Sequence, residues 1–292
     1  MASTSMTASE GRFEGVGGVR IFYRTWRPAS PPRGVVVVVH GFNAHSGHYA
    51  WAAEQLTAHG LAVYALDLRG RGRSDGERFY VEQFGDYVDD VASLVRVVRS
   101  DEKGLPVFLL GHSAGGVVAC LYTVGHQAEL AGLICESFAF RVYAPDIALK
   151  LLEGASHLIP HTHVLELKME DFSRDPAWVA QLNADPLTLD EVQPVQTVAS
   201  FARAGERFER EFSRITLPVL ILHGTADKAT RPDGSQQFFD EAGSSDKTLK
   251  LYEGHYHDLL NDLGREQVMD DIIGWIDARI GQAVKNEMPL AT

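Results

Sequence analysis

Val107-Phe108-Leu109-Leu110-Gly111-His112-Ser113-Ala114-Gly115-Gly116 is the stretch on which the reading of this chain turns. Four apolar residues lead into Gly-x-Ser-x-Gly, and Val117, Val118 and Ala119 then read as a helix. Strand, sharp turn, helix is the order that a nucleophile elbow requires. The serine of such an elbow sits at a strained turn, so the residues two before and two after it must be small. Gly111 and Gly115 fill those places. The turn also sets Ser113 near a helix N-terminus, where backbone N–H groups face developing negative charge. Ser113 is therefore the candidate nucleophile; the bland alternative is a glycine-rich turn with an incidental serine.

The same rhythm extends to both sides. Val19 to Trp26 alternates and predicts an antiparallel hairpin with Arg12 to Gly15, while Val35 to Val39 is the β-branched run of a doubly buried central strand. Leu61 to Leu66, Leu105 to Leu110, Leu130 to Cys135, Leu217 to Leu222 and Thr248 to Tyr252 read as further strands. Phe84, Tyr87, Val88, Val91, Leu94, Val95 and Val98 recur at helical spacing, and Val268 to Ile280 reads as a closing helix. Alternating strands and helices predict a mostly parallel sheet covered on both faces. The alternation stops between Ser137 and Phe212, where five prolines divide short helical patterns. That break predicts a helical cap over the C-terminal edge of the sheet, the edge at which open α/β sheets bind ligands. The expected organisation is a disordered tail at 1–11, a core from 12–136 and 213–281, a cap at 137–212 and a C-terminal tail at 282–292. Within the cap, Tyr143, Ile147, Leu151, Leu152 and Leu158 could give an apolar underside, and Tyr143, Ile147 and Leu151 are the candidate substrate contacts.

Composition excludes several classes. A chain of 292 residues with 45% hydrophobic content and a net charge of −12 can bury a full core. The same charge argues against nucleic acid, whose binding rests on Lys and Arg neutralising phosphates. The basic cluster Arg69-Gly70-Arg71-Gly72-Arg73 lies between Asp67 and Asp75 and reads as a self-neutralised turn. Cys120 and Cys135 sit in apolar surroundings without disulfide or metal spacing, so they read as reduced thiols of a cytoplasmic protein. Met1 to Glu10 lacks the basic start and apolar stretch of a signal peptide. His157, His161 and His163 flank Pro160, which breaks any shared helical face, so no metal site is expected. Gly70-Arg71-Gly72 lacks the third glycine of a dinucleotide fingerprint and no phosphate loop is present, so no cofactor is implied.

A serine hydroxyl needs a base, and the base needs a carboxylate to fix its tautomer. With a nucleophile elbow these follow in the order Ser, Asp, His. Strand Leu217 to Leu222 runs through His223-Gly224-Thr225-Ala226 into Asp227, which places that carboxylate at the same sheet edge as Ser113. The next strand runs into Glu253-Gly254-His255-Tyr256-His257-Asp258, where position alone leaves His255 and His257 both open.

Five segments carry a resemblance. They are Val39-His40-Gly41-Phe42-Asn43-Ala44-His45-Ser46-Gly47-His48-Tyr49, Asp67 to Ser74, Gly111 to Gly116, His223 to Asp227, and Tyr252 to His257. In order and spacing the chain resembles the monoglyceride lipase and lysophospholipase branch of the α/β-hydrolase family, from about Arg20 to Ile280. The resemblance implies an eight-stranded α/β-hydrolase sheet with an inserted cap. It makes His257, the last residue of Gly-x-x-His, the base. It also implies an oxyanion hole from the backbone N–H groups of Phe42 and Ala114, the places that elbow mechanics also call for. Three positions depart from the pattern. Ala44 replaces an acid and His48 an arginine, in the segment expected to hold a glycerol head group, and Ala114 replaces a methionine. His48 is carried forward as a substrate-binding candidate.

The expected function is a serine hydrolase cleaving carboxylic esters of single-chain acyl substrates, monoacylglycerols first, with lysophospholipase or broad esterase activity as the alternative. A non-catalytic ligand-binding module is the reading from a different class. The expected partner is a small acyl ester, with transient lipid-surface contact through the cap. Dehalogenase and epoxide hydrolase chemistry would require a carboxylate at position 113.

Overall fold

The computed structural model describes residues 8–287. In chain order the elements are β1 (Ser9–Glu14), β2 (Arg20–Trp26), β3 (Gly34–Val39), α1 (Ala50–Ala58), β4 (Leu61–Leu66), α2 (Phe84–Asp101), β5 (Val107–His112), α3 (Ala114–His126) and β6 (Gly132–Glu136). There follow α4 (Asp146–Ala155), β7 (His163–Glu166), α5 (Pro176–Ala184), β8 (Val192–Pro194), α6 (Val195–Glu209), β9 (Val219–Gly224), α7 (Pro232–Glu241), β10 (Lys247–Tyr252) and α8 (Arg265–Glu287).

Eight strands form one sheet in the order β1-β2-β4-β3-β5-β6-β9-β10. β2 is antiparallel to both its neighbours, and every other pairing is parallel. This is the mostly parallel sheet that the strand runs predict. Side chains alternate across a strand, and β3 shows what that means for a run of valines. Val35, Val37 and Val39 face a core completed by α2 and α3, through Val91, Leu94, Val117 and Val118. Val36 and Val38 face a second core, with Ala53 and Leu56 of α1 and Ile272 and Ile276 of α8. Both faces are dry, so neither needs polar positions.

Strand order reverses direction between β3 and β5, which makes the crevice beyond their C-terminal ends the topological switch point. The loops that follow β3, β5, β9 and β10 all open at that edge.

Three expectations require correction. β1 begins at Ser9, inside the segment expected as a disordered tail, and α8 continues to Glu287 rather than ending at 281. Residues 1–7 and 288–292, which hold the remainder of the two expected tails, lie outside the described residues. The stretch 137–212 contributes no strand to the eight-stranded sheet, but its last helix does not stand apart from the core. Ala204 and Phe208 of α6, with Phe212, are buried in the α2/α3 core. Among the described residues no helix is long and apolar enough to cross a membrane.

Candidate active site

β5 is buried throughout and ends at His112, and Ser113 then takes φ 54° and ψ −124° before α3 begins. A side chain with a Cβ avoids this region, so the surroundings must hold the turn in place. They do so through the backbone: Ser113 N–H donates to Glu136 O at 3.0 Å, and Ser113 O accepts from Gly116 N–H at 2.9 Å and Ala139 N–H at 3.0 Å. The chain packs so closely here that a Cβ at Gly115 would lie 2.2 Å from Val39 O. The strained conformation at Ser113 is the one an elbow needs.

Asp227 follows β9 and is buried. Its Oδ1 accepts from the backbone N–H groups of Ala229 at 2.8 Å and Thr230 at 2.9 Å. Its Oδ2 meets His257 Nδ1 at 2.8 Å, Thr230 Oγ1 at 2.8 Å and His223 Nε2 at 3.1 Å. Burial raises the pKa of this carboxyl. The pull of the His257 ring when it is protonated, and the hydrogen bonds from His223 and His257, outweigh burial and hold it below the ordinary carboxylate range. An ionised Asp227 accepting at Nδ1–H leaves the lone pair of His257 on Nε2. That Nε2 is buried and, among the described residues, has no hydrogen-bond partner. Phe172 closes the ring edge-on at 4.9 Å. His255 takes no part: its Nδ1 lies 3.9 Å from Asp262, away from Asp227.

Ser113, His257, Phe42 and Ala114 line one cavity of about 410 Å³. The walls are largely apolar, with Val142, Leu149, Leu152 and Phe201 among them. Gly41 brings the loop after β3 onto the serine so tightly that a Cβ there would sit 2.6 Å from Ser113 Cβ. Ala114 opens α3, where the first N–H groups have no acceptor within the helix. The site thus combines a strained hydroxyl, an imidazole with a free lone pair, and two backbone segments against one apolar volume.

The substrate candidates divide. Tyr143 lines the cavity, and its hydroxyl donates to Asp227 O at 3.1 Å. Ile147 and Leu151, expected to line it, instead face outward at 71% and 70% exposure. On α4 the inward face is taken by Ala148, Leu149 and Leu152, one residue on in register. His48 is not on this cavity either. Its Nε2 lies 2.9 Å from Asp185 Oδ2, which also meets His45 Nε2 at 2.9 Å. The hydrogen bond from His48, opposed by burial and joined by that from His45, keeps the Asp185 carboxyl below the usual range. These three groups tie the loop after β3 to the end of α5.

Among the described residues two clusters have metal-ligand composition: His45, His48 and Asp185, and His112, Glu136 and Asp258. In the first, His45 Nδ1 accepts from Gly47 N–H at 3.0 Å, so the ring proton sits on the Nε2 that faces Asp185. A cation could not use that nitrogen without breaking the turn. In the second, burial and the neighbouring Asp258 push the Glu136 carboxyl well up, which favours its protonated form over a cation ligand. His161, from the histidine group around Pro160, bonds Glu77 at 2.7 Å and stacks on Tyr80. The basic cluster is neutralised, but by partners other than Asp67 and Asp75. Arg69 pairs with Asp86 and Asp90, Arg71 with Glu191, and Arg73 with Glu10.

Sequence reasoning missed His223 and Thr230, although both stand within seven residues of Asp227. A polar residue just after a strand that carries an acid is the signal that could have drawn attention to them.

The family described as serine aminopeptidase, S33, matches residues 30–264. The chain is 35% identical to the monoacylglycerol lipase of Mycolicibacterium smegmatis, over 93% of this chain and 98% of that protein. It is 34% identical to the human monoglyceride lipase, over 91% and 89%. Among solved structures, the monoacylglycerol lipase of Paleococcus ferrophilus superposes with a TM-score of 0.79 at 29% identity, covering 94% of this chain and all of that one.

Proposed function

The chain belongs to the α/β-hydrolase family, in its monoglyceride lipase-like, serine aminopeptidase S33 branch, and from that premise we propose that it is a serine carboxylesterase acting on single-chain acyl esters, monoacylglycerols foremost. Ser113 Oγ attacks the ester carbonyl while His257 Nε2 takes its proton. Asp227 holds the imidazole in the required tautomer and supports its positive charge. The N–H groups of Phe42 and Ala114 receive the developing oxyanion. His257 then protonates the leaving alcohol, and water, deprotonated by the same nitrogen, releases the acid from the acyl-enzyme.

The observation that carries this reading is the buried His257, with Nδ1 fixed on Asp227 at 2.8 Å and Nε2 unpartnered, in a ring sharing one cavity with Ser113. The apolar cavity suits an acyl chain. Ile147, Leu151 and Leu158, all 70% exposed or more, support transient docking of the segment on a lipid surface. A reducing, cytoplasmic setting completes the reading, supported by Cys120 and Cys135, buried and unjoined with Sγ atoms 3.5 Å apart.

One observation favours a second reading, a broader esterase. Ala44 offers no polar group, and His48 is engaged by Asp185 rather than free for a glycerol hydroxyl. Hydrolysis of 1-monoacylglycerols from short to long chain, beside p-nitrophenyl esters of matching length, separates the two. Preference for a monoacylglycerol supports the first; turnover of activated esters alone moves the alcohol specificity elsewhere.

A further inference from the structure

We propose that Glu191, reaching in from the segment between β6 and β9, is a positioning residue for the backbone that presents the Phe42 N–H to the ester oxygen. The inference rests on the serine-esterase reading above and assigns a device that sets its oxyanion loop.

Asn43, next after Phe42, holds a positive φ of 51° without being glycine. A backbone in that region persists only where neighbours over-determine it. Glu191 supplies one such constraint: its Oε1 accepts from Asn43 N–H at 2.8 Å. Arg71 supplies the other. Its guanidinium lies 4.3 Å from the centre of the Phe42 ring, within cation–π reach, and pairs with the same Glu191. Gln193 closes the group, accepting from Arg71 at 2.6 Å and donating to Glu191 Oε1 at 2.7 Å. Arg71, Glu191 and Gln193 are all buried. Asp190, immediately before Glu191, also has a positive φ, 59°, so the chain turns sharply where the carboxylate enters.

The cluster therefore grips Phe42 at its ring and at the amide that follows it, which fixes the direction of its own N–H. Stability alone does not call for this arrangement, because a buried ion pair can commonly be replaced by apolar residues of similar volume. An apolar side chain cannot accept the Asn43 N–H. Losing a well-placed oxyanion donor lowers kcat by about 10²–10³, and a partial misalignment falls below that range.

The test compares two doubly substituted proteins that both lack the buried charge pair. Arg71→Met/Glu191→Gln keeps an oxygen for Asn43 N–H; Arg71→Met/Glu191→Leu does not. The second is expected to fall about 10- to 100-fold below the first in kcat, with KM changed less than threefold. Equal kcat in the two overturns the proposal. Should either double substitution fail to fold, the single variants Glu191→Gln, which keeps an acceptor oxygen, and Glu191→Met, which does not, are compared with each other. A kcat at least about tenfold lower in Glu191→Met than in Glu191→Gln supports the proposal, and equal kcat in the two overturns it. Fluorophosphonate labelling of the wild type runs alongside. No labelling of Ser113 removes the serine-esterase reading and this inference with it. Labelling with equal kcat in the paired variants removes the positioning role alone.

Discussion

Asp227→Asn is the substitution that most sharply separates the chemistry of this site from its architecture. The side chain keeps its size but exchanges one acceptor oxygen for an NH₂ group. Oδ1 faces two backbone donors, Ala229 N–H and Thr230 N–H, and neither can turn away. The amide oxygen must therefore occupy the Oδ1 position, which puts the NH₂ where Oδ2 now meets His257 Nδ1 at 2.8 Å. Two donors cannot share that contact, so His257 moves its proton to Nε2 and offers Nδ1 as the acceptor. An imidazole protonated on Nε2 cannot take the proton of Ser113. The expected loss is about 10⁴ in kcat, or about 5 kcal/mol of transition-state stabilisation, with the fold retained. Initial rates on a soluble p-nitrophenyl ester measure the loss, and circular dichroism with thermal melting verifies that the protein is folded. A folded Asp227→Asn protein within tenfold of wild-type kcat would refute the tautomer argument.

Gly41→Ala should act through close approach, since its Cβ would stand 2.6 Å from Ser113 Cβ. The loop must shift, at a cost of about 1–3 kcal/mol of stability and about 10²–10³ in kcat; denaturant titration and initial rates check both, and no change in either contradicts the packing. Glu136→Gln tests the buried acid pair. Burial and Asp258 raise the Glu136 pKa, so the folded state holds a proton that the unfolded chain releases, and wild-type stability falls as pH rises above about 4.5. The amide has no proton to hold. The variant should match wild type near pH 4 and become the more stable of the two toward pH 8, as read by melting temperatures across that range; a gap that does not grow with pH counts against the assignment.

Some of this molecule is written locally and some is not. The strand runs and the elbow are legible because each is decided by neighbours in sequence. Five valines in a row suit only a strand buried on both faces, and Gly-x-Ser-x-Gly between a strand and a helix suits only a tight turn. Asp227 was legible for the same reason, as a carboxylate just past a strand. The choice between His255 and His257 was not, since both lie in one loop and only the fold decides which ring meets Asp227. The face of α4 is misread because Ile147, Leu149, Leu151 and Leu152 spread along an apolar arc wider than the face that meets the cavity, so the pattern alone does not say which part of that arc turns inward. The joining of α6 to the main core escaped notice because the prolines before it mask a helix that packs on α3. The ties that link the inserted segment to the loops of the site, Asp185 to His48 and Glu191 to Asn43, span 137 and 148 residues, beyond any local pattern.

The central claim is that Ser113 carries the acyl group, and the most direct test is turnover of a 1-monoacylglycerol by wild type and Ser113→Ala under identical conditions. Triads of this kind lose up to about 10⁶ in kcat when the serine is removed. The account predicts a loss of several orders of magnitude in a folded protein, with fluorophosphonate labelling abolished. Near-normal turnover by folded Ser113→Ala would contradict it and return the strained turn after β5 to a purely structural role.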